Sequence, residues 1–158
     1  MPVATDFRAA MAQTPSAVSV VTTVANDVPY GTTVSDFISL SMDPPMMLVS
    51  LDNDSTLLSK LSIGSTVGVN VLAVGQGQLA THFASKRPDK FADIPWTLVD
   101  GAPNLPGRHA WITLTVTTRI PASDHTLVLG NVVTARPSAN TRPLTYCQHT
   151  FGTHTIGR

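Results

Sequence analysis

"WITLTVTTRIPASDHTLVLGNVVTA", from Trp111 to Ala135, decides the fold class. In its first half Ile112, Leu114 and Val116 fall on one side and threonines on the other. Successive side chains of a strand point to opposite faces, so this segment reads as a half-buried antiparallel strand. "TLVLGNVVTA" carries the same β-branched composition, and "PASD" supplies a turn between the two, so together they predict a hairpin.

The same signature recurs upstream. "AVSVVTTVA" (17–25) reads as a strand, and "NDVPYG" is turn chemistry that returns a second strand through Thr32 to Val34. "FISLS" and "MMLVSLD" are two more strands, split by "MDPP", where the prolines forbid continued pairing. "TVGVNVLAV" is another. Helices are few and short. One opens at "FRAAMA", capped by Thr5 or Asp6, with Phe7, Ala10 and Met11 on one face. One lies in "DSTLLSKLSIG", capped by Asp54 or Ser55 and ended by Gly64. One lies in "QLATHFA", where Leu79 and Phe83 are four apart. Residues 86–108, with Pro88, Pro95, Pro103 and Pro106, read as irregular. Many strands, few helices and turn-rich links predict an antiparallel barrel or sandwich. A chain of 158 residues suits a single domain spanning 1–158.

Composition narrows the function. Charged residues are 13% of the chain, against about 25% in an ordinary soluble domain. So little charge predicts a surface buried against a second subunit. Net charge is zero, so nothing draws a polyanion, and nucleic acid is disfavoured. No apolar run reaches the roughly 20 residues that span a bilayer. "MPVATDFRAAM" has no signal-peptide pattern, which fits a cytoplasmic location. Cys147 is the only cysteine, so no internal disulfide forms. "CQHTFGTH" groups Cys147, His149 and His154, but no pair has a familiar ligand spacing, and no metal is expected.

Four stretches bear on chemistry. "GQGQLA" (75–80) fits a dinucleotide-binding fingerprint, but the chain beyond it lacks the strand and acid such a unit requires. "DNDSTLLSKL" places Ser55 and Thr56 where a helix begins, an anion-favouring position, although for this stretch alone plain capping is the better explanation. Thr33, Ser35 and Ser39 offer hydroxyls on a strand face that solvent alone accounts for. Asp124 and His125 open a strand, where the imidazole is either a hydrogen-bonding group or an exposed turn residue.

Taken in order, "FRAAMAQTPSAVSVVTT", "GTTVSDFISLSMDPPMMLVSLDNDSTLLSKL", "VGVNVLA", "LATHFA", "KF", "PW" and "SDHTLVLGNVV" resemble the flavin reductase-like family. These are small reductases that supply reduced flavin to two-component monooxygenases. The resemblance runs from about Phe7 to Tyr146, and its most specific parts are T-V-S-x-F-x-S-x-S-x-D-P-P and D-H-T. It implies a mainly β split β-barrel with short peripheral helices, usually a homodimer, binding FMN or FAD without a Rossmann unit. It implies NADH or NADPH as hydride donor and a flavin-dependent monooxygenase as partner. By position it implies that Thr33, Val34, Ser35 and the neighbouring Asp36 meet the isoalloxazine edge. Ser50, Leu51 and Asp52 would follow the ribityl chain. Ser55 and Thr56 would hold the phosphate with Lys86, Arg87 or Lys90. Asn70, Val71 and Leu72 would cover the ring and ribityl, Phe83 would close one side, and Tyr146 would match a late aromatic. His125 would orient the nicotinamide. The chain departs from the pattern at Ser123, where glycine is usual, at Asp36, where a small hydroxyl is usual, and at "PSAV", which replaces a glycine. These departures bear on nicotinamide preference and turnover.

Three other jobs would use the same barrel: a flavin- or haem-binding module without turnover, an oxidase of pyridoxal-type vitamers, and a purely structural dimer. The second needs a further cationic cluster for its substrate phosphate, and the sequence has none to spare.

Overall fold

The computed structural model describes residues 2–157. Helix α1 runs Pro2–Ala12, so it begins ahead of the expected Thr5 or Asp6 cap. Pro2 is tolerated because the first turn of a helix has no intrahelical N–H bond to lose. No residue of α1 is buried.

Strands β1 (Ser16–Ala17), β2 (Ser19–Ala25) and β3 (Val28–Val34) follow. The β2–β3 turn is shorter than expected. Only Asn26 and Asp27 form it, at φ 52° and 62°, the left-handed region that a two-residue hairpin needs and that Asn and Asp tolerate. Strands β4 (Phe37–Met42) and β5 (Pro45–Asp52) also pair directly, with Met42 opposite Pro45. Asp43 and Pro44 of "MDPP" therefore make the turn of a hairpin, and Pro45 opens β5. Helix α2 (Thr56–Ser59) is a single turn, and the chain reaches Gly64, at φ 93°, through irregular backbone. Strand β6 (Thr66–Val71) and helix α3 (Gly77–Ala84) lie where expected. The stretch read as irregular holds a small hairpin, β7 (Thr97–Val99) and β8 (Ala102–Asn104), turned at Asp100–Gly101. The long hairpin that opened the argument is β9 (Ala110–Ala122) and β10 (His125–Pro137). Its loop is Ser123–Asp124, with Pro121 and Ala122 still in the strand. A last hairpin, β11 (Leu144–Cys147) and β12 (Thr150–Thr153), joins β1 in a separate three-stranded sheet.

Seven strands form one antiparallel sheet in the order β3-β2-β6-β9-β10-β5-β4. Its two edges, β3 and β4, are joined by only Ser35 and Asp36. Laid flat, seven strands at the usual spacing would hold their edges about 29 Å apart. The three Cα steps from Val34 to Phe37 reach at most about 11 Å. The sheet must therefore curl until its edges face each other, and the fold is a mainly β split barrel with short peripheral helices.

Val21, Val34, Val49, Leu51, Val69, Leu114 and Val128 fill the barrel, and Leu57, Leu58 and Leu61, at and just after α2, pack with them. A second cluster, Val18, Val20, Leu72, Ala80, Phe83, Leu105 and Leu144, packs outside the sheet beneath α3. The threonine face of β9 is not solvated along its whole length. Trp111 and Thr113 are buried there, Trp111 donating to Asp100 Oδ2 at 3.1 Å. Thr113 and Thr134 share a hydrogen bond of 2.6 Å. Thr113→Val keeps the shape and removes that bond, so urea unfolding should show a loss of about 1 kcal/mol. An unchanged midpoint would mean that the bond adds nothing net.

Candidate functional site

A cleft of about 580 Å³ opens beside the barrel. One wall is β3 at Tyr30, Gly31 and Thr32. The second is the end of β5 and the start of α2, with Asp52, Asp54, Ser55 and Thr56. The third is the segment after α3, with Lys86, Arg87, Lys90 and Phe91. Backbone closeness explains Gly31: a Cβ there would stand 3.1 Å from the Phe91 ring. Phe91 in turn meets Phe83 edge-on at 5.0 Å. Lys60 Nζ sits 5.0 Å above the Tyr30 ring.

The β5–α2 wall is shaped locally. Asp52 Oδ1 accepts from the Asp54 N–H at 2.8 Å, and Ser55 Oγ accepts from the Leu58 N–H at 3.4 Å. Ser55 is thus a helix cap, and its own O–H remains available to donate. The three cations differ. Lys86 is exposed. Arg87 is half-exposed, touches His82 Nδ1 at 3.2 Å, and has Asp89 at 3.7 Å. Lys90 donates to Phe83 O at 2.9 Å, and burial pushes its pKa down. Lys86 and Arg87 are therefore the freer positive charges.

Asp52 ends β5 directly opposite His125, the first residue of β10. His125 Nδ1 lies 2.9 Å from Asp124 Oδ1, and 37% of its side chain is exposed. The Asp124 hydrogen bond raises the His125 pKa. Partial burial opposes this, and the charges of Asp124, Asp52 and Asp36 add to it. Asp124 is correspondingly lowered, first through the same hydrogen bond. Two half-sites thus meet at Asp52: a cleft with hydroxyls and cations, and an imidazole bonded to Asp124 that also feels the charges of Asp52 and Asp36.

Of the residues singled out from the sequence, Asp52, Ser55, Thr56, Lys86, Arg87 and Lys90 line the cleft. Asp36 and His125 lie at the second half-site. Ser35 is exposed beside Asp36 in the β3–β4 link. Thr33 is half-buried, its hydroxyl donating to Ala80 O at 2.5 Å. Val34 and Leu51 point into the barrel core. Ser50 is half-buried opposite Leu127, and its N–H reaches Asp36 O at 2.9 Å. Asn70 is fully buried, with Nδ2 donating to Val20 O and Pro103 O and Oδ1 accepting from Leu105 N. Val71 packs against the barrel core, and Leu72 and Phe83 belong to the second cluster. Tyr146 packs on Phe151 at 5.1 Å, away from the cleft. Tyr30, Gly31, Thr32 and Phe91 were not singled out. Thr32 stood next to Thr33 in the "GTTVSDFISLS" stretch, whereas Phe91 stood in a stretch with no periodicity to place it.

A second groove, of about 650 Å³, is lined by Val74, Gly77, Thr81, His82, Leu144 and Phe151 among others. It is open and mostly apolar and gathers no charged pair, so the smaller cleft is the better candidate. Among the described residues no group of three or more His, Cys, Asp or Glu is placed to hold a metal ion.

Comparison with known proteins agrees with this architecture. The flavin reductase like domain matches residues 11–155. The chain is 35% identical over 129 residues to an NADH:FMN oxidoreductase of Rhodococcus qingshengii, covering 80% of this chain and 67% of that one. It is 34% identical over 143 residues to the flavin-dependent monooxygenase reductase subunit HsaB of Mycobacterium tuberculosis, covering 89% and 76%. Among solved structures, the Streptomyces globisporus NADH:FAD oxidoreductase SgcE6, in complex with NAD and FAD fragments, superposes with a TM-score of 0.89. Identity there is 29%, with 96% of this chain and 92% of that one covered. A curled antiparallel barrel, a hydroxyl- and cation-lined cleft and a match over nearly the whole chain lead to one conclusion: this protein belongs to the flavin reductase-like family.

Proposed function

We propose that this protein is an NAD(P)H:flavin oxidoreductase that reduces FMN or FAD and supplies the reduced flavin to a flavin-dependent monooxygenase. The observation that carries the reading is the convergence of Ser55, Thr56, Lys86 and Arg87 on one cleft, two elements away in sequence yet sharing one wall-to-wall space. A volume of about 580 Å³ lies within the range of small-molecule sites, roughly 300–1,000 Å³. Hydroxyls and cations suit a phosphate, while Asp52 and Thr32 offer polar atoms to a hydroxylated chain. The residues present therefore fit a flavin nucleotide. When bound, the flavin supplies a ring that accepts a hydride from the nicotinamide. The chain's own part is to hold the phosphate at one end of the site and to orient the nicotinamide through His125 at the other. Both tasks lower the barrier by proximity. Asp36 and Asp52 disfavour further negative charge near His125.

Residues 1–158 act as one domain in this reading, although Met1 and Arg158 lie outside the described residues. The protein works as a homodimer, because Ile38, Leu40, Met42 and Val133 expose apolar surface that the sparse charge does not cover. No helix among the described residues is long and apolar enough to cross a membrane, in keeping with a cytoplasmic site of action.

Purified protein mixed with FMN or FAD should oxidise NADH or NADPH, while protein or flavin alone should not. Flavin binding without nicotinamide oxidation would favour the non-catalytic module instead. The His125 charge gives a second check. Its raised pKa means that the imidazolium persists to higher pH than in a free histidine and is lost as pH rises through the folded value. Asp124→Asn removes the largest cause. The NMR titration midpoint of His125 should move to lower pH, and the pH profile of kcat/KM for NADH should move with it. A midpoint that stays put would show that Asp124 does not govern the imidazole.

A further inference from the structure

We propose that Asn53 is a positioning residue that locks the His125 half-site to the β5–α2 wall of the flavin cleft. The proposal rests on the reductase reading and adds to it a residue that does not itself line the cleft. Asn53 follows Asp52, the last residue of β5, so it lies one step past the end of the β5–β10 ladder. Strand ends fray where the ladder stops. Here the ladder is extended by one backbone bond and two side-chain bonds. The Asn53 N–H donates to Asp124 O at 3.0 Å. Its Nδ2 donates to Ser123 O at 2.9 Å. Its Oδ1 accepts from Thr126 Oγ1 at 2.7 Å.

All three bonds go to the tip of one hairpin, to Ser123 and Asp124 of the loop and Thr126 of β10, and His125 lies between them. Ser123 and Asp124 form the loop of the β9–β10 hairpin, with Ser123 at φ 57°. Asp124 in turn holds His125 Nδ1 through its own carboxylate. Fixing the Asp124 backbone therefore fixes the carboxylate that sets the imidazole. On its other flank Asn53 is continuous with Asp54, Ser55 and Thr56 of the cleft wall. That wall keeps its shape without Asn53, because Asp52 bonds Asp54 N and Ser55 caps Leu58 N. Loss of Asn53 should loosen the imidazole and spare the flavin end. Displacing a reacting group by about 1 Å can cost about a hundredfold, so a partial loosening is expected to cost about tenfold.

A double-mutant cycle in the full chain tests this, with FMN as flavin and NADH as donor. Asn53→Ala should lower kcat/KM for NADH about tenfold and leave Kd for FMN within about twofold. In a His125→Ala background the same change should cost less than about twofold, because the group it acts through is gone. In the ligand-free protein, Asn53→Ala should speed amide exchange at residues 123–126 and leave exchange in β6 unchanged. Additive losses, a parallel fall in FMN affinity, or unaltered exchange in the turn would each overturn the proposal and leave the reductase reading standing. If the unsubstituted protein shows no FMN-dependent NADH oxidation, both fall.

Discussion

His125→Ala is expected to lower kcat/KM for NADH by about a hundredfold while Kd for FMN stays within about twofold. The ring stands at the first position of β10, part-exposed, with Nδ1 engaged by Asp124. That engagement leaves Nε2 as the atom that can reach a ligand. Removing the ring would delete the contact proposed to orient the nicotinamide and leave unchanged the cleft walls that would hold the flavin. Because the substitution lies at a partly exposed strand end, the fold should survive it. Steady-state kinetics with NADH varied at saturating FMN, beside fluorescence titration of FMN, separates the two effects. Equal losses in both would contradict the division into a nicotinamide end and a flavin end.

The second large effect is expected at the cations. Lys86→Gln with Arg87→Gln should weaken FMN by about a hundredfold and leave riboflavin nearly unchanged. Hydrogen bonds to charged groups contribute about 1.5–3 kcal/mol each, and riboflavin has no phosphate to lose them. Asp89 does not neutralise Arg87 strongly, since the pair is exposed and 3.7 Å apart. Lys90→Gln should behave differently. Its ammonium is tied to Phe83 O and desolvated, so its loss would disturb the 84–91 wall and affect both flavins alike. An equal fall in FMN and riboflavin affinity in the Lys86/Arg87 variant would remove the phosphate role from these side chains.

The barrel strands were legible because apolar alternation has a period of two and their cores are long. The hairpin from 110 to 137 follows from that pattern in its first strand, with β-branched composition and the turn residues marking the second. Turn chemistry was legible in kind but not in length. Two-residue loops at Asn26–Asp27, Asp43–Pro44 and Ser123–Asp124 are tighter than the runs of turn-forming residues around them suggested. Asp100–Gly101, a strong turn pair, joins strands of only three residues, too short to show a period. The site divides along similar lines. Ser55, Thr56, Lys86 and Arg87 were marked by the family resemblance, since Ser55 and Thr56 alone read as helix caps, and the fold brings all four to one cleft. Asn70 has the same polar chemistry but spends all of it inside, on Val20, Pro103 and Leu105, which no linear pattern reveals. Phe83 and Phe91 exchanged places for a related reason. The helical face of Phe83 turns inward, and the ring beside the cleft comes from irregular chain.

A crystal structure of the protein with FMN is the most direct test. The account predicts the phosphate between Ser55–Thr56 and Lys86–Arg87, with the His125 ring facing the space beside the bound nucleotide. FMN seated instead in the apolar groove between α3 and the β11–β12 hairpin, with the hydroxyl-lined cleft open to solvent, would contradict it.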